Sequence, residues 1–260
     1  MNRRWAAIVL ALLLAGAVLA PLVAPYAPDA LDLAHRRAAP SAGHWFGTDD
    51  LGRDLLTRVL FGARVSLATG LLSAAVAGAV GIAIGGVGGY AGGALDSVLM
   101  RATDAALAVP RLPLLMIASA VLQPSIPMLI ALIGLASWME TARVVRQEFQ
   151  SLRHREFVEA ARAAGAGHLR ILGAHLLRNA APPIVVSMTI AVGRGILIES
   201  ALSFFGVGVQ PPAASWGNML YQAQSTLATE PWLAIFPGAF IFMTALSINV
   251  VGDAMARRDL

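Results

Sequence analysis

SLATGLLSAAVAGAVGIAIGGV, Ser66–Val87, carries no charged residue and no proline. A helix needs about 20 apolar residues to cross the roughly 30 Å hydrocarbon core of a bilayer. This run meets that length. Ala77, Gly81, Gly85 and Gly89 recur every fourth residue within it and just beyond. Residues four apart share a helix face, so the repeat forms a small-xxx-small stripe against which a second helix can pack closely.

Outward from this run the pattern repeats. An apolar span extends from Trp5 to about Val23 behind Arg3 and Arg4. Its basic start resembles a signal peptide, but its length exceeds the usual 7–15-residue apolar region of one, and an uncleaved first span is expected. Further spans run from about Ala105 to Leu122, Ile126 to Met139, Pro182 to Phe204 and Trp232 to Val251. The expected fold class is an all-α integral membrane protein of about six transmembrane helices. Between Asp50 and Arg64, Leu51, Leu55, Leu56, Val59 and Leu60 share a helical face opposite Arg53, Asp54, Thr57 and Arg58. That pattern is expected to form a helix lying on the membrane surface or a short one packed on the spans. Gly88–Arg101 is expected to be a glycine-rich turn.

Composition agrees with this architecture. Hydrophobic residues make up 57% and charged residues 13% of the 260-residue chain, against roughly 25% charged in a soluble domain. All 19 basic residues are Arg, and Lys and Cys are absent. Without Lys there is no P-loop, and without Cys there is no disulfide, thiolate zinc site or cysteine nucleophile. None of the five His forms H-E-x-x-H, and no G-x-S-x-G occurs. The chain is expected to be non-catalytic and to draw its energy from a partner or an ion gradient.

The Arg positions explain the net charge of +4. Arg143, Arg146, Arg153, Arg155, Arg162, Arg170 and Arg178 fall within residues 140–180, and the 205–231 loop has no Arg. With Arg3, Arg4, Arg257 and Arg258 at the ends, the positive-inside rule places both termini and the 140–180 loop in the cytoplasm. Arg36, Arg37, Arg53, Arg58 and Arg64 run against the rule, in a long first loop where it is weaker. Basic residues that flank spans leave no nucleic-acid surface to expect, and membrane lipid is the expected surrounding.

Three charges fall inside spans, where they are costly in lipid and tend to face a cavity or partner. These are Arg111, Arg194 and Glu199. Arg194 and Glu199 lie about 140° apart around a helix, too far to pair directly. Each is a candidate for the translocation path, a subunit interface or a snorkelling position. Trp45, Trp138, Trp216 and Trp232 fall near span boundaries, where Trp anchors at the interface.

Residues 140–180 are too orderly for a connector. Glu156–Ala164 is helical by composition, Gly165-Ala166-Gly167 interrupts it, and Leu169, Ile171, Leu172, Leu176 and Leu177 resume the period. Helix, tight turn and helix result, with glycine accepting the turn's positive φ. The residues alone leave two readings: a docking knob, or an amphipathic hairpin on the inner leaflet.

Glu159-Ala160-Ala161, then Gly165, followed by His175-Leu176-Leu177-Arg178-Asn179, resembles the EAA loop of ABC importer permeases. One position departs: the family usually has Pro where Arg178 stands, although Pro182 and Pro183 follow shortly. His44–Asp54 (HWFGTDDLGRD), continuing to Gly62–Leu67, resembles the N-terminal signature of dipeptide, oligopeptide and nickel importer permeases. Ala201–Pro212 and Ser215–Leu220 resemble their periplasmic loop before the last span, and the arrangement is similar to the shorter "C"-type subunit. The resemblance implies a type I importer permease fold, with residues 1–65 forming a first helix, periplasmic loop and amphipathic helix, and residues 66–255 the permease domain. It implies half of a translocation pathway in a bacterial inner membrane, for peptides or a related small solute. A second homologous permease, two cytoplasmic ATPase subunits or domains and an extracytoplasmic binding protein would complete it. No cofactor is expected on this chain, since ATP and Mg would sit on the ATPases. Glu159, Ala160, Ala161 and Gly165 are the implied ATPase-coupling residues, and Trp216 and Asn218 are candidates for the binding-protein contact. A stand-alone secondary transporter or channel is the competing class, and it usually carries internal repeats, which the two halves do not display.

Overall fold

The computed structural model describes residues 2–122 and 125–256. The basic pair Arg257 and Arg258 lies outside the described residues. The described chain is α-helical, with one isolated bridge between Thr48 and Asp54. Four helices are long and apolar enough to cross a membrane: α1 (Arg3–Val23), α2 (Leu55–Ala91), α9 (Ala181–Phe204) and α11 (Trp232–Ala256). Two bent pairs raise the number to six if each is one span: α3 (Gly93–Ala108) with α4 (Arg111–Leu122), and α5 (Ile126–Leu135) with α6 (Trp138–Leu152).

α2 is the axis of the bundle. Its 37 residues span roughly 55 Å at 1.5 Å per residue, well beyond a bilayer core. Asp54 caps the start by accepting the Thr57 N–H at 2.8 Å. Gly92, at φ +68°, caps the end. This corrects two expectations. The amphipathic stretch 50–64 is neither a surface helix nor a separate one. From Leu55 it is the first turns of α2, and the 65/66 boundary falls inside a continuous helix. No Pro or Gly cap intervenes to stop it, and Leu55 and Val59 bury against Met219 and Leu233. The glycine-rich turn is likewise shorter than expected: α2 runs to Ala91, only Gly92 and Gly93 turn at positive φ, and Asp96 and Arg101 lie in α3.

The glycine stripe faces α6. A Cβ on Gly81 would sit 2.8 Å from the Thr141 Cβ, one on Gly85 would strike the Ala142 carbonyl, and one on Gly89 would meet the Arg146 carbonyl at 2.7 Å. Two backbones therefore touch along this seam. α9 crosses α2 higher up, where Gly195 lies against Gly70 and Ser73.

The third span is not straight. α3 and α4 meet at 80°. Pro110 lacks an N–H and drives Val109 to an extended ψ of 126°. Pro113 is tolerated in the first turn of α4. The fourth span also differs from expectation. It bends 44° at Ala136-Ser137 and continues as α6 to Leu152, so the first third of the 140–180 loop is helix. α1 packs against α2 and α11 through Ala6, Ala17 and Ala20, while Leu12 and Val18 on its other face are exposed.

Candidate docking loop and polar cavity

At the C-terminal end of α2, α7 (Glu156–Ala163) leads through Gly165 to α8 (His168–Arg170), which continues in wider π-type turns over Ile171–Leu177. The Gly165 φ is +79°; its N–H donates to the Arg162 carbonyl at 2.9 Å, and the Ala166 N–H donates to Ala161 at 3.0 Å. A Cβ there would meet nothing within 4 Å. The backbone conformation, not space, requires glycine. Val158, Ile171, Leu176 and Ala180 bury against Val145 and Phe149 of α6 and Ile184 of α9. Tyr90, in the last turn of α2, holds the loop from below. Its hydroxyl and the His168 Nδ1 lie 2.7 Å apart, and the Arg162 guanidinium sits 5.7 Å from its ring centroid. The Arg153 Nη1 donates to the Gly89 carbonyl at 3.4 Å. α3 is tied in by Asp96, which accepts from the Arg146 Nε at 2.5 Å and Nη2 at 2.7 Å and from Gln150 at 2.9 Å.

What the loop leaves outside is equally specific. Glu156, Glu159 and Ala160 are exposed, Phe157 is 38% exposed and Leu169 is 85% exposed. Leu169 was expected to share the buried period of Ile171 and Leu176, but the Gly167 start of α8 turns it outward. The Glu159 carboxylate has no cation within ion-pair distance among the described residues. Arg178 is exposed in a helical turn, and the break before α9 falls at Ala180, just ahead of Pro182 and Pro183.

Between α4, α6 and α9 lies a cavity of about 600 Å³. Arg111 Nη2 donates to Glu140 Oε1 at 2.7 Å, and Arg194 Nη1 stands 3.2 Å from the same oxygen. Glu140 Oε2 is buried without a partner. Ser187 and Glu148 line the same space.

Glu199 is elsewhere, fully buried. Its Oε2 accepts from the Ser66 hydroxyl at 2.9 Å and its Oε1 from the Ser203 hydroxyl at 2.8 Å. Each serine passes the connection on. Ser66 Oγ accepts the Trp216 N–H at 3.2 Å, and Ser203 Oγ accepts the Val209 N–H at 3.0 Å. The 205–218 loop is thereby pinned to α2 and α9. Trp216 is fully buried and its indole N–H donates to the Val59 carbonyl at 3.0 Å. Asn218 is 3% exposed; it forms a capping box with Ser215 at the start of α10 (Trp216–Ala223) and donates to the Ala213 carbonyl at 2.6 Å.

The 44–54 segment packs at this same end. Asp49 accepts the Arg53 Nε at 2.6 Å and lies 3.4 Å from the Arg58 Nε. Asp54 lies 2.9 Å from the His44 Nδ1. Arg53, Arg58, Asp49 and Asp54 are buried, so most of this charge is spent within the fold.

Residues 55–258 match the model of a family described as "Binding-protein-dependent transport system inner membrane component". The chain belongs to this family. It is similar to the oligopeptide transport system permease protein OppC of Bacillus subtilis, with 36% identity over 95% of this chain and 81% of that one. It is also similar to the "Probable D,D-dipeptide transport system permease protein DdpC" of Escherichia coli K12, with 37% identity over 98% and 85%. The protein is thus a multi-pass inner-membrane transport permease.

Within this permease the expected site residues separate into three places. Glu159, Ala160, Ala161 and Gly165 stay together in the α7–α8 loop. Arg111 and Arg194 meet in the cavity, while Glu199 does not join them. Trp216 and Asn218 are in the core and are not a surface contact, because a buried indole and amide here satisfy backbone carbonyls. Nor does Trp216 anchor at an interface; Trp45, 70% exposed, is the most open of the four. Sequence reasoning overlooked Glu140 and Tyr90. Glu140 stands at an expected span boundary, where a charge attracts no notice. Tyr90 was hidden in the supposed turn.

Proposed function

We propose that the chain is the transmembrane subunit of an ATP-driven importer of peptides, docking a partner ATPase through the α7–Gly165–α8 loop. The exposed, unpaired Glu159 face of α7, on a loop clamped to α2 by Tyr90 and Arg153, is the observation that carries this reading. A loop fixed to the ends of α2, α6 and α9 can move those helices when its partner moves, because packed elements shift as rigid bodies. The chain itself is non-catalytic. ATP and Mg belong to two cytoplasmic ATPase subunits or domains, a second permease completes the pathway, and an extracytoplasmic binding protein delivers peptide. Both termini and the docking loop face the cytoplasm. The peptide substrate class follows from the relatives, whose names specify oligopeptide and D,D-dipeptide transport.

Gly165→Pro tests the docking role. Proline fixes φ near −65°, incompatible with +79° at this turn. In proteoliposomes holding the full complex, ATP hydrolysis should persist while peptide uptake falls to background. Uptake at the wild-type rate would refute the assignment.

A further inference from the structure

The cavity between α4, α6 and α9 has two poles of opposite charge. At one pole Arg111 and Arg194 both address a single oxygen of Glu140, at 2.7 and 3.2 Å, and the second Glu140 oxygen has no partner. Two cations against one carboxylate leave a surplus positive charge. The Arg194 side chain is 50% exposed, and a guanidinium carries five N–H donors in a planar fork suited to a carboxylate. Glu148 lines the same cavity and has no cation within ion-pair distance among the described residues. It lies eight residues along α6 from Glu140, about 12 Å at 1.5 Å per residue. An extended chain advances about 3.3–3.6 Å per residue, so three to four residues bridge the poles. The wall between them is mostly apolar, with Ser187 among the exceptions, and lets side chains pass without selecting them.

We propose that this cavity is a transit site for zwitterionic peptides, holding the C-terminal carboxylate at Arg111 and Arg194 and the N-terminal ammonium at Glu148. The proposal rests on the peptide-importer reading. A purely structural tie would bury the donors that make it, whereas the Arg194 side chain stays half exposed with donors free for a ligand. Glu148 gives the site its direction: a peptide in transit is aligned along α6, carboxylate toward the α4 end.

The test compares uptake of tetra-alanine with that of its C-terminal amide and its N-acetyl form, in proteoliposomes carrying the full complex and one binding protein throughout. Any selectivity of the binding protein cancels when variants are compared. Arg194→Gln and Arg111→Gln should each lower the acid-to-amide uptake ratio roughly tenfold, the worth of a charge-assisted hydrogen bond, while Arg194→Lys keeps it. Glu148→Gln should instead lower the ratio of free-amine to N-acetyl peptide. Unchanged ratios in a transporting complex would overturn the transit site and leave the importer reading standing; a wild-type complex that moves no peptide would remove the importer reading and the transit site with it. A second measurement needs no transport. The chain has no Cys, so Ala191→Cys, one turn from Arg194 on the cavity wall, places a single thiol in this subunit. An anionic thiosulfonate should modify it faster than a cationic one of similar size, and adding Arg194→Gln should abolish that preference. Equal rates in both backgrounds would overturn the proposal.

Discussion

At the residue scale, Glu199 illustrates what an acidic side chain inside a membrane helix can do besides touch substrate. Ser66 and Ser203 donate to its two oxygens, and each serine in turn accepts a backbone N–H from the 205–218 loop. Removing the acceptor would strand buried hydroxyls, each costing about 1–3 kcal/mol. Glu199→Leu is therefore expected to destabilise the solubilised protein by roughly 2–4 kcal/mol, read as a lower midpoint of thermal unfolding. Glu199→Gln, which keeps an acceptor oxygen, should recover part of the loss. A transport defect with unaltered stability would contradict this structural role.

Among the elements, α2 and α6 depend on each other most. Their seam works because Gly81, Gly85 and Gly89 have no side chain where α6 backbone passes. Overpacking of this kind costs typically 1–3 kcal/mol. Gly85→Leu should reduce the amount of folded protein in the membrane and lower its thermal midpoint. Gly173→Ala, with nothing within 4 Å of the added Cβ, should change either by little, within about 0.5 kcal/mol. Equal effects at the two positions would show that the seam is not where the helices are held. The same seam supports the α7–α8 loop, since α6 and the end of α2 are the surfaces on which Val158, Ile171 and His168 rest, the last against Tyr90.

On the scale of the whole molecule, the two ends of α2 organise opposite faces. The 44–54 segment, the 205–218 loop and α10 gather at its N-terminal end around Trp216, and the α7–α8 loop gathers at its C-terminal end around Tyr90. The importer reading puts the first face outside and the second in the cytoplasm. Trp45 and Leu169, 70% and 85% exposed, serve as reporters. In right-side-out vesicles a membrane-impermeant thiol reagent should label Trp45→Cys and spare Leu169→Cys, and inverted vesicles should reverse the pattern. Labelling of both from one side would overturn the arrangement.

The sequence by itself determined what is local. Apolar run length marked the membrane helices, the glycine repeat marked a packing face, and Gly165 marked the turn between α7 and α8, because hydropathy, side-chain absence and positive φ act over a few residues. Where those helices bend was less legible: Pro110 lay in view, yet whether a Pro-bearing run spans or breaks depends on what packs beside it. Tertiary structure alone decided which charges share a space. Arg111, Glu140 and Arg194 come from three helices, and Glu199 reaches Ser66 across 133 positions. Trp216 moved from an expected surface to the core for the same reason. Its indole N–H found the Val59 carbonyl 157 residues away, and buried polar groups are settled by partners that only the completed packing supplies.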